Sequence, residues 1–102
     1  MATGQFKFED IVLLSDIGIQ KFLRDADSQD IVNALKGASP EVQDRIFRNL
    51  STFAVKALKG DMERMGPVML KDIDEAQQKL VSIICRLEDS GEVTVASSGE
   101  KV

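Results

Sequence analysis

Apolar residues recur at helical spacing along most of the chain. In two segments near the start, 16–25 and 29–37, the apolar positions follow an i, i+3, i+4 rhythm. An amphipathic helix produces this rhythm, whereas a half-buried strand alternates apolar and polar residues. The residues that set it are Ile19, Phe22 and Leu23 in the first segment, and Ile31, Val32 and Leu35 in the second. The pattern predicts two short helices, preceded by a shorter apolar one near Phe8.

Capping residues place the boundaries of these helices and of the two that follow. Ser and Asp at an N-cap accept hydrogen bonds from the free N–H groups of a first helical turn. The predicted helix starts are Ser15-Asp16, Asp27-Ser28, Ser39-Pro40 and Ser51. Gly37 supplies one stop, and Gly66-Pro67 ends the helix that runs to about Met65, because proline cannot continue the backbone ladder. The residues expected to face inward in the third helix are Val42, Ile46, Phe47 and Leu50.

The last helix is expected to be the longest. It is predicted to open near Asp72, where Asp72 and Glu75 have the spacing of a capping box, and to end near Ser90-Gly91. Its buried stripe is Ile73, Leu80, Ile84 and Leu87. Val93 to Val95 are expected to run extended. The predicted fold is all-α, a compact bundle of about six helices, with a vector-derived or linker remnant at 1–5, the helical domain at 6–95 and a disordered polar tail at 96–102.

The amino-acid composition excludes several common kinds of catalytic and metal-binding site. The chain has 102 residues, which suits a single domain, and contains one cysteine and no histidine. Cys/His zinc sites and histidine-dependent nucleophilic catalysis therefore cannot be assembled, and Cys85 is expected to be a buried small hydrophobe. A net charge of −4 disfavours nucleic acid as a partner. We expect no enzyme activity, cofactor, metal or small-molecule substrate, and a reducing cytoplasmic compartment.

Several blocks of residues resemble the C-terminal domain of the FliG family of flagellar motor switch proteins. They are the opening Phe-Lys-Phe-Glu-Asp-Ile-Val-Leu-Leu from Phe6, Ala34-Leu35-Lys36-Gly37-Ala38, Met65-Gly66-Pro67-Val68 and Glu75-Ala76-Gln77-Gln78-Lys79. The resemblance extends from Phe6 to Val95. It implies a rotor component at the cytoplasmic face of the inner membrane, in the flagellar basal body, that contacts a cytoplasmic loop of the stator protein MotA.

In the family, torque is thought to pass through charged residues at five positions of this domain. Two are kept here, as Lys36 and Asp61, whereas Phe53, Gly60 and Met69 stand where the family carries charge. A helical wheel places Phe53, Lys56, Gly60 and Arg64 on one stripe, expected to be exposed. Over 51–66 this chain has three basic and two acidic residues. The predicted partner-binding residues are Lys36, Phe53, Lys56, Lys59, Asp61 and Arg64.

The resemblance also gives Phe6 and Phe8 a role, as part of a motif that links this domain to a preceding one and acts as a hinge in rotation switching. Gln5 replaces the methionine of that motif. We therefore expect the chain to be part of a longer protein, whose other domains bind the membrane ring and the other switch proteins. Two interpretations remain open: a rotor component that transmits torque, or a FliG paralogue that keeps the fold as an assembly or positioning scaffold. The presence of glycine at position 60, in the middle of a helix, has two explanations. Either the structural requirements on this helix are relaxed, or the backbone of a partner approaches closely there.

Overall fold

The computed structural model describes residues 6–93, and within that range the chain is all-α. A 3₁₀ helix at Phe8–Leu13 is followed by five α-helices. They are α1 (Asp16–Asp25), α2 (Ser28–Lys36), α3 (Pro40–Phe47), α4 (Thr52–Met65) and α5 (Leu70–Asp89). The predicted fold class is confirmed, and α5 is the longest helix, as expected. The predicted remnant at 1–5, the extended residues after Val93 and the disordered tail at 96–102 lie outside the described residues.

The N-caps predicted for α1 to α4 all form. The side-chain oxygens of Ser15, Asp27, Ser39 and Ser51 accept hydrogen bonds from the backbone N–H groups of Gly18, Gln29, Val42 and Ala54, respectively. Each bond satisfies a first-turn donor that has no partner within its own helix. At the end of α4, the backbone of Gly66 has a φ of +64°, a value that residues other than glycine rarely adopt. Local sequence therefore sets most of the helix boundaries.

The start of α5 is an exception, and the predicted capping box is wrong. The helix begins at Leu70, its N-cap is Met69, and no side chain caps it. The backbone N–H groups of Asp72 and Ile73 both donate to the Met69 carbonyl, so Asp72 already lies inside the first turn. Leucine and lysine are good helix formers. The helical hydrogen bonds therefore start at Leu70, two residues before Asp72.

The core lies mainly between α2 and α5, with α1, α3 and the 3₁₀ helix packed around that pair. Side chains from all of these elements reach full burial, among them Ile11, Phe22, Leu35, Ile46, Leu80 and Ile84. The stripe predicted for α5 is confirmed, because Ile73, Leu80, Ile84 and Leu87 are all buried.

Helix α4 differs from its neighbours because none of its residues is fully buried. Leu58 and Met62 pack partly against the core, and the helix lies against α2. Two residues at the end of the preceding segment, Phe47 and Leu50, pack against the core as predicted, but they are half-buried. Both lie next to α4, which covers them incompletely. The α4 helix therefore forms one flank of the domain and leaves a long face exposed to solvent.

A second correction concerns Cys85. Its side chain is half-buried rather than fully buried. Partial burial, with the neighbouring carboxylates of Glu88 and Asp89, raises the pKa of the thiol above its ordinary value. The thiol is therefore protonated at neutral pH and a poor nucleophile.

A polar cluster joins the start of α1 to the end of α3. The Asn49 amide donates to Asp16 at 3.0 Å, and Arg48 lies 3.6 Å from the same carboxylate. Arg45 donates to the Leu14 carbonyl and lies 3.9 Å from Asp16. The Asn49 hydrogen bond and the charges of Arg48 and Arg45 lower the pKa of Asp16. This cluster fixes the end of α3, from which the chain turns into α4.

Candidate partner-binding surface on helix α4

The stripe predicted on the wheel lies on the open side of α4. Phe53, Lys56 and Arg64 are exposed and Gly60 is half-buried. Phe53 is 82% exposed, the highest value for a large apolar side chain among residues 6–93. We call the residues Phe53, Lys56, Lys59, Asp61 and Arg64 the α4 surface. Its side chains extend over about 17 Å of helix, at 1.5 Å per residue.

Charge is unevenly distributed along the α4 surface. Near the C-terminal end, Arg64 forms an ion pair with Asp61 three residues before it. Opposite charges at this spacing lie side by side on a helix and largely cancel. Lys56, nearer the start, has no ion-pair partner within residues 6–93. The positive charge expected of this surface is therefore concentrated in its N-terminal half.

Lys36 is placed differently from the other predicted residues. It is half-buried at the end of α2, and its ammonium Nζ donates a hydrogen bond of 3.3 Å to the Met62 carbonyl in the last turn of α4. That turn is the negative end of the helix dipole, which favours a cation. An ammonium has three donors, so two remain for other contacts. Lys36 thus joins α2 to α4 as well as lying beside the predicted surface.

Lys59 lies against the preceding segment rather than pointing freely into solvent. Its Nζ sits 5.2 Å from the centroid of the Phe47 ring, within the range of a cation–π contact. Phe47 in turn lines a cleft of about 560 Å³ between α3 and α4. We call this the α3–α4 cleft; its lining residues are Asp44, Phe47, Arg48, Leu50, Thr52 and Val55. The sequence pattern missed the cleft, because Phe47 and Leu50 fit the helical rhythm of core residues.

The three positions that depart from the expected charge pattern are all accessible. Phe53 and Met69 are 82% and 69% exposed, respectively. At Gly60, an added Cβ would meet only the end of the flexible Arg64 side chain, whose Nη1 lies 3.3 Å away. Nothing in residues 6–93 requires glycine at that position. The intramolecular packing therefore explains none of the three departures.

The two predicted hinge residues are both packed on the domain. Phe8 is buried in the core, and Phe6 is half-buried against it. At the start of the 3₁₀ helix, whose first residue is Phe8, the Asp10 carboxylate accepts a hydrogen bond of 2.9 Å from the Lys7 backbone N–H. The segment from Phe6 onward is thus held to the bundle by aromatic side chains and a local cap.

Two other kinds of site are absent from the part of the chain that the structure describes. Between residues 6 and 93, no helix combines the length and the apolar character needed to cross a bilayer. The same residues bring together no group of three or more Cys, Asp or Glu side chains able to hold a metal ion.

Comparisons with known proteins agree with these observations. The family model for the FliG C-terminal domain matches residues 2–95. The chain is similar to the flagellar motor switch protein FliG of Thermotoga maritima, with 52% identity over 94 residues, or 92% of this chain and 28% of the relative. The corresponding protein of Borreliella burgdorferi is 49% identical over 96 residues, or 94% of this chain and 28% of the relative.

Solved structures give the same result. A crystal structure of FliG from H. pylori matches with a TM-score of 0.86 and 34% identity, over 89% of this chain and 40% of that one. Full-length FliG from Aquifex aeolicus matches with a TM-score of 0.82 and 38% identity, over 84% of this chain and 27% of that one. The chain thus spans less than a third of the curated relatives described above. It belongs to the family of FliG C-terminal domains.

Proposed function

We propose that this domain is a rotor component of the bacterial flagellar motor switch and presents the α4 surface to the stator. The observation that carries the proposal is the position of α4, a helix of 14 residues with none fully buried, on the flank of a FliG C-terminal domain. A helix packed so incompletely leaves a long face free for a partner. The domain would act through contacts rather than catalysis, at the cytoplasmic face of the inner membrane in the basal body.

The charge distribution indicates what kind of contact this would be. Lys56 and Lys59 supply positive charge on the N-terminal side of Asp61, whereas Arg64 is offset by Asp61. Exposed charge pairs contribute only about 0–1 kcal/mol each and are screened by salt. Such weak contacts suit a rotor that must release each stator unit as it passes. The proposed partner is an acidic part of the cytoplasmic loop of MotA.

The hinge and the remaining partners belong to the same proposal. Phe6 and Phe8 anchor the start of the domain, so a hinge at this point would move the bundle as one body relative to a preceding domain. Contacts with the membrane ring and the other switch proteins would come from the parts of the FliG relatives that this chain does not span.

A second candidate function is a non-torque paralogue that serves as an assembly or positioning scaffold. The observation that favours it is the loss of charge at Phe53, Gly60 and Met69, none of which is explained by packing within residues 6–93. A scaffold would keep the fold without needing the charged pattern. This alternative predicts that charge reversal on α4 has no effect on motility.

The test reverses charge on the α4 surface in the source organism, in a strain where this is the only FliG-like protein. The double variant Lys56→Glu/Lys59→Glu should lower swimming speed and stator recruitment while leaving thermal stability nearly unchanged. Lys36 is left intact because it also holds α4 to α2.

The matched control is Arg24→Glu/Arg86→Glu, which makes the same change in net charge at exposed positions on α1 and α5. It should leave motility near the wild-type level. If the two double variants behave alike, or if neither changes motility, the α4 surface does not face the stator and the scaffold function replaces the first proposal.

A further inference from the structure

The side of α4 that points away from the core carries residues at the spacing found between two packed helices. They are Phe53, Ala57, Gly60 and Arg64, at intervals of four, three and four positions. Residues at these intervals lie on one stripe of a helix, as they do along the seam of a coiled coil. Leu58 and Met62, which pack against the core, lie on the opposite side. We call the first four residues the outer stripe.

The outer stripe places one large exposed side chain beside two very small residues. Phe53 is 82% exposed, and Ala57 is exposed as well. A single exposed apolar residue is common on protein surfaces and carries no meaning by itself. Two turns beyond Phe53, however, Gly60 has no side chain, and an added Cβ there would meet only the end of Arg64. A projecting ring and a gap on the same stripe suit packing against another helix.

Two charged residues border the outer stripe on one side. Lys56 and Glu63 are seven positions apart and therefore lie on the same side of α4, about two helical turns from each other. Both are exposed, and neither has an ion-pair partner within residues 6–93. At a separation of about 10 Å along the helix they do not pair with each other. Each is available to an opposite charge on a partner.

A second copy of α4 supplies both of those charges. In a twofold interface, a residue that contacts a given residue of the second copy is matched by the reverse contact. Two α4 helices packed antiparallel about an axis beside Gly60 bring Lys56 of each copy level with Glu63 of the other, because positions 56 and 63 have their midpoint there. The antiparallel arrangement also places opposite ends of the two helix dipoles together. Asp61, on the other side of the stripe, is already paired with Arg64 of its own chain.

The residues of the outer stripe fit this arrangement. The two helices approach most closely at the axis, where Gly60 has no side chain to hold them apart. Arg64 lies over Gly60 in the single chain and must turn aside, which its 74% exposed side chain allows. In the pair, Phe53 of the second copy lies about 3 Å along the axis from the level of Arg64. A guanidinium stacks favourably on an aromatic ring, so this contact takes up both exposed side chains.

We propose that the outer stripe of α4 packs against the outer stripe of a second copy of this chain, as an antiparallel helix pair with Gly60 at the twofold axis and reciprocal ion pairs between Lys56 and Glu63. The stripe extends over only about 17 Å, so the interface is small and the dimer weak. The inference goes beyond the proposed function. A paired domain has its outer stripe covered, so pairing and stator contact through this stripe exclude each other. The pair gives Phe53 and Gly60 one common explanation.

Sedimentation of the 102-residue chain, from micromolar to millimolar concentration at low salt, tests the pair. The mean mass should rise from that of a monomer towards that of a dimer. Lys56→Glu and Glu63→Lys should each weaken dimerisation about tenfold, because both cross-contacts become repulsive. The matched control is Lys59→Glu, which makes the same change in charge as Lys56→Glu on the side of α4 that faces Phe47. It should leave the dimerisation constant unchanged.

Mixing the two charge variants tests the antiparallel register. A mixed pair has two acidic positions on the Lys56→Glu chain and two basic positions on the Glu63→Lys chain, so both cross-contacts are attractive again. The equimolar mixture should therefore dimerise at least as tightly as the wild type, although neither variant does so alone. The double variant Lys56→Glu/Glu63→Lys should also recover wild-type affinity.

A side chain at the axis tests the close approach. Gly60→Gln favours the helix but places a long side chain between the two copies, so it should abolish dimerisation while circular dichroism shows the same fold. Ser82→Gln, at an exposed position on α5, is the control and should dimerise like the wild type.

The outcomes separate this inference from the stator proposal. A wild-type chain that stays monomeric throughout the concentration range would overturn the pair and leave the stator proposal untouched, since that rests on motility. Dimerisation that Lys56→Glu and Lys59→Glu weaken equally would place the contact on another surface and overturn the inference as well. Failure of the mixed variants to pair would overturn the antiparallel register, whereas recovery in the mixture together with loss in Gly60→Gln would support it.

Discussion

The ammonium of Lys36 and the carbonyl oxygen of Met62 lie 3.3 Å apart and join the end of α2 to the last turn of α4. This contact has a particular importance because α4 has no fully buried residue to hold it in place. Lys36 is also a predicted partner-binding residue. Any substitution there changes the support of α4 together with the charge that a partner meets.

Replacing Lys36 by methionine should therefore loosen α4. The change keeps the aliphatic stem but removes the hydrogen bond and the positive charge at the helix end. We expect a loss of about 1 kcal/mol in the free energy of unfolding, with faster hydrogen exchange at the amides of the last turn of α4. The control is Lys71→Met, at an exposed position in the first turn of α5. This variant should change neither the free energy of unfolding nor the exchange rates. Unchanged exchange in Lys36→Met would mean that the contact does not support α4.

The Asp16 cluster predicts how stability depends on pH. Because the native-state pKa of Asp16 is lowered, its ionised form stabilises the fold above about pH 4, the range of an unperturbed aspartate. This contribution is lost as pH falls through the lower native pKa. Asp16→Asn should therefore flatten the decline of stability below pH 4, measured by urea unfolding at several pH values. Asp74→Asn, at an exposed position on α5, should retain the full decline. An unaltered acid response in Asp16→Asn would contradict the assigned role.

A further prediction concerns the hydrophobic core, at the buried stripe of α5. Ile84 is fully buried, so Ile84→Ala should lower the free energy of unfolding by about 2–5 kcal/mol, the usual cost of removing a large buried side chain. Gln78→Ala, at an exposed position of the same helix, should change it by less than about 0.5 kcal/mol. Chemical denaturation followed by circular dichroism at helical wavelengths measures both. Similar costs at the two positions would mean that the buried stripe of α5 is misplaced.

The helix boundaries were predictable because they depend on neighbours in the sequence. Ser15, Asp27, Ser39 and Ser51 cap turns that begin within three residues of them, and the apolar rhythm places the buried faces. The start of α5 was missed because two signals competed there. Carboxylates near Asp72 suggested an N-terminus, yet the good helix formers Leu70 and Lys71 already belong to the helix.

The candidate surface was predictable only as a stripe of exposed residues. A helical wheel orders the residues of α4, but it contains no information about other helices. The contacts of Lys36 with Met62 and of Lys59 with Phe47 join residues that are 26 and 12 positions apart, respectively. The α3–α4 cleft likewise depends on how two helices pack. These features required the tertiary structure, and they change the expected role of Lys36 from a free charge to a support for α4.

Gly37, directly after α2, and Gly60, within α4, should respond to alanine in opposite ways. At Gly60 an added Cβ meets only the mobile end of Arg64, so Gly60→Ala should stabilise α4 by about 1 kcal/mol and raise the Tm by several degrees. At Gly37 the Cβ would lie 2.6 Å from Cγ2 of the buried Ile73, where α2 meets α5. Gly37→Ala should therefore cost about 1–3 kcal/mol.

Each glycine variant is the control for the other, because both add one methyl group to the same fold. Equal Tm changes would contradict the packing described for these two sites. Gly60→Ala also tests the two explanations left open for that glycine. If a partner's backbone approaches closely there, the variant should be more stable than the wild type yet bind a synthetic peptide of the proposed partner, the MotA cytoplasmic loop, more weakly. If instead the structural requirements at this position are relaxed, Gly60→Ala should be more stable than the wild type and bind the peptide with unchanged affinity.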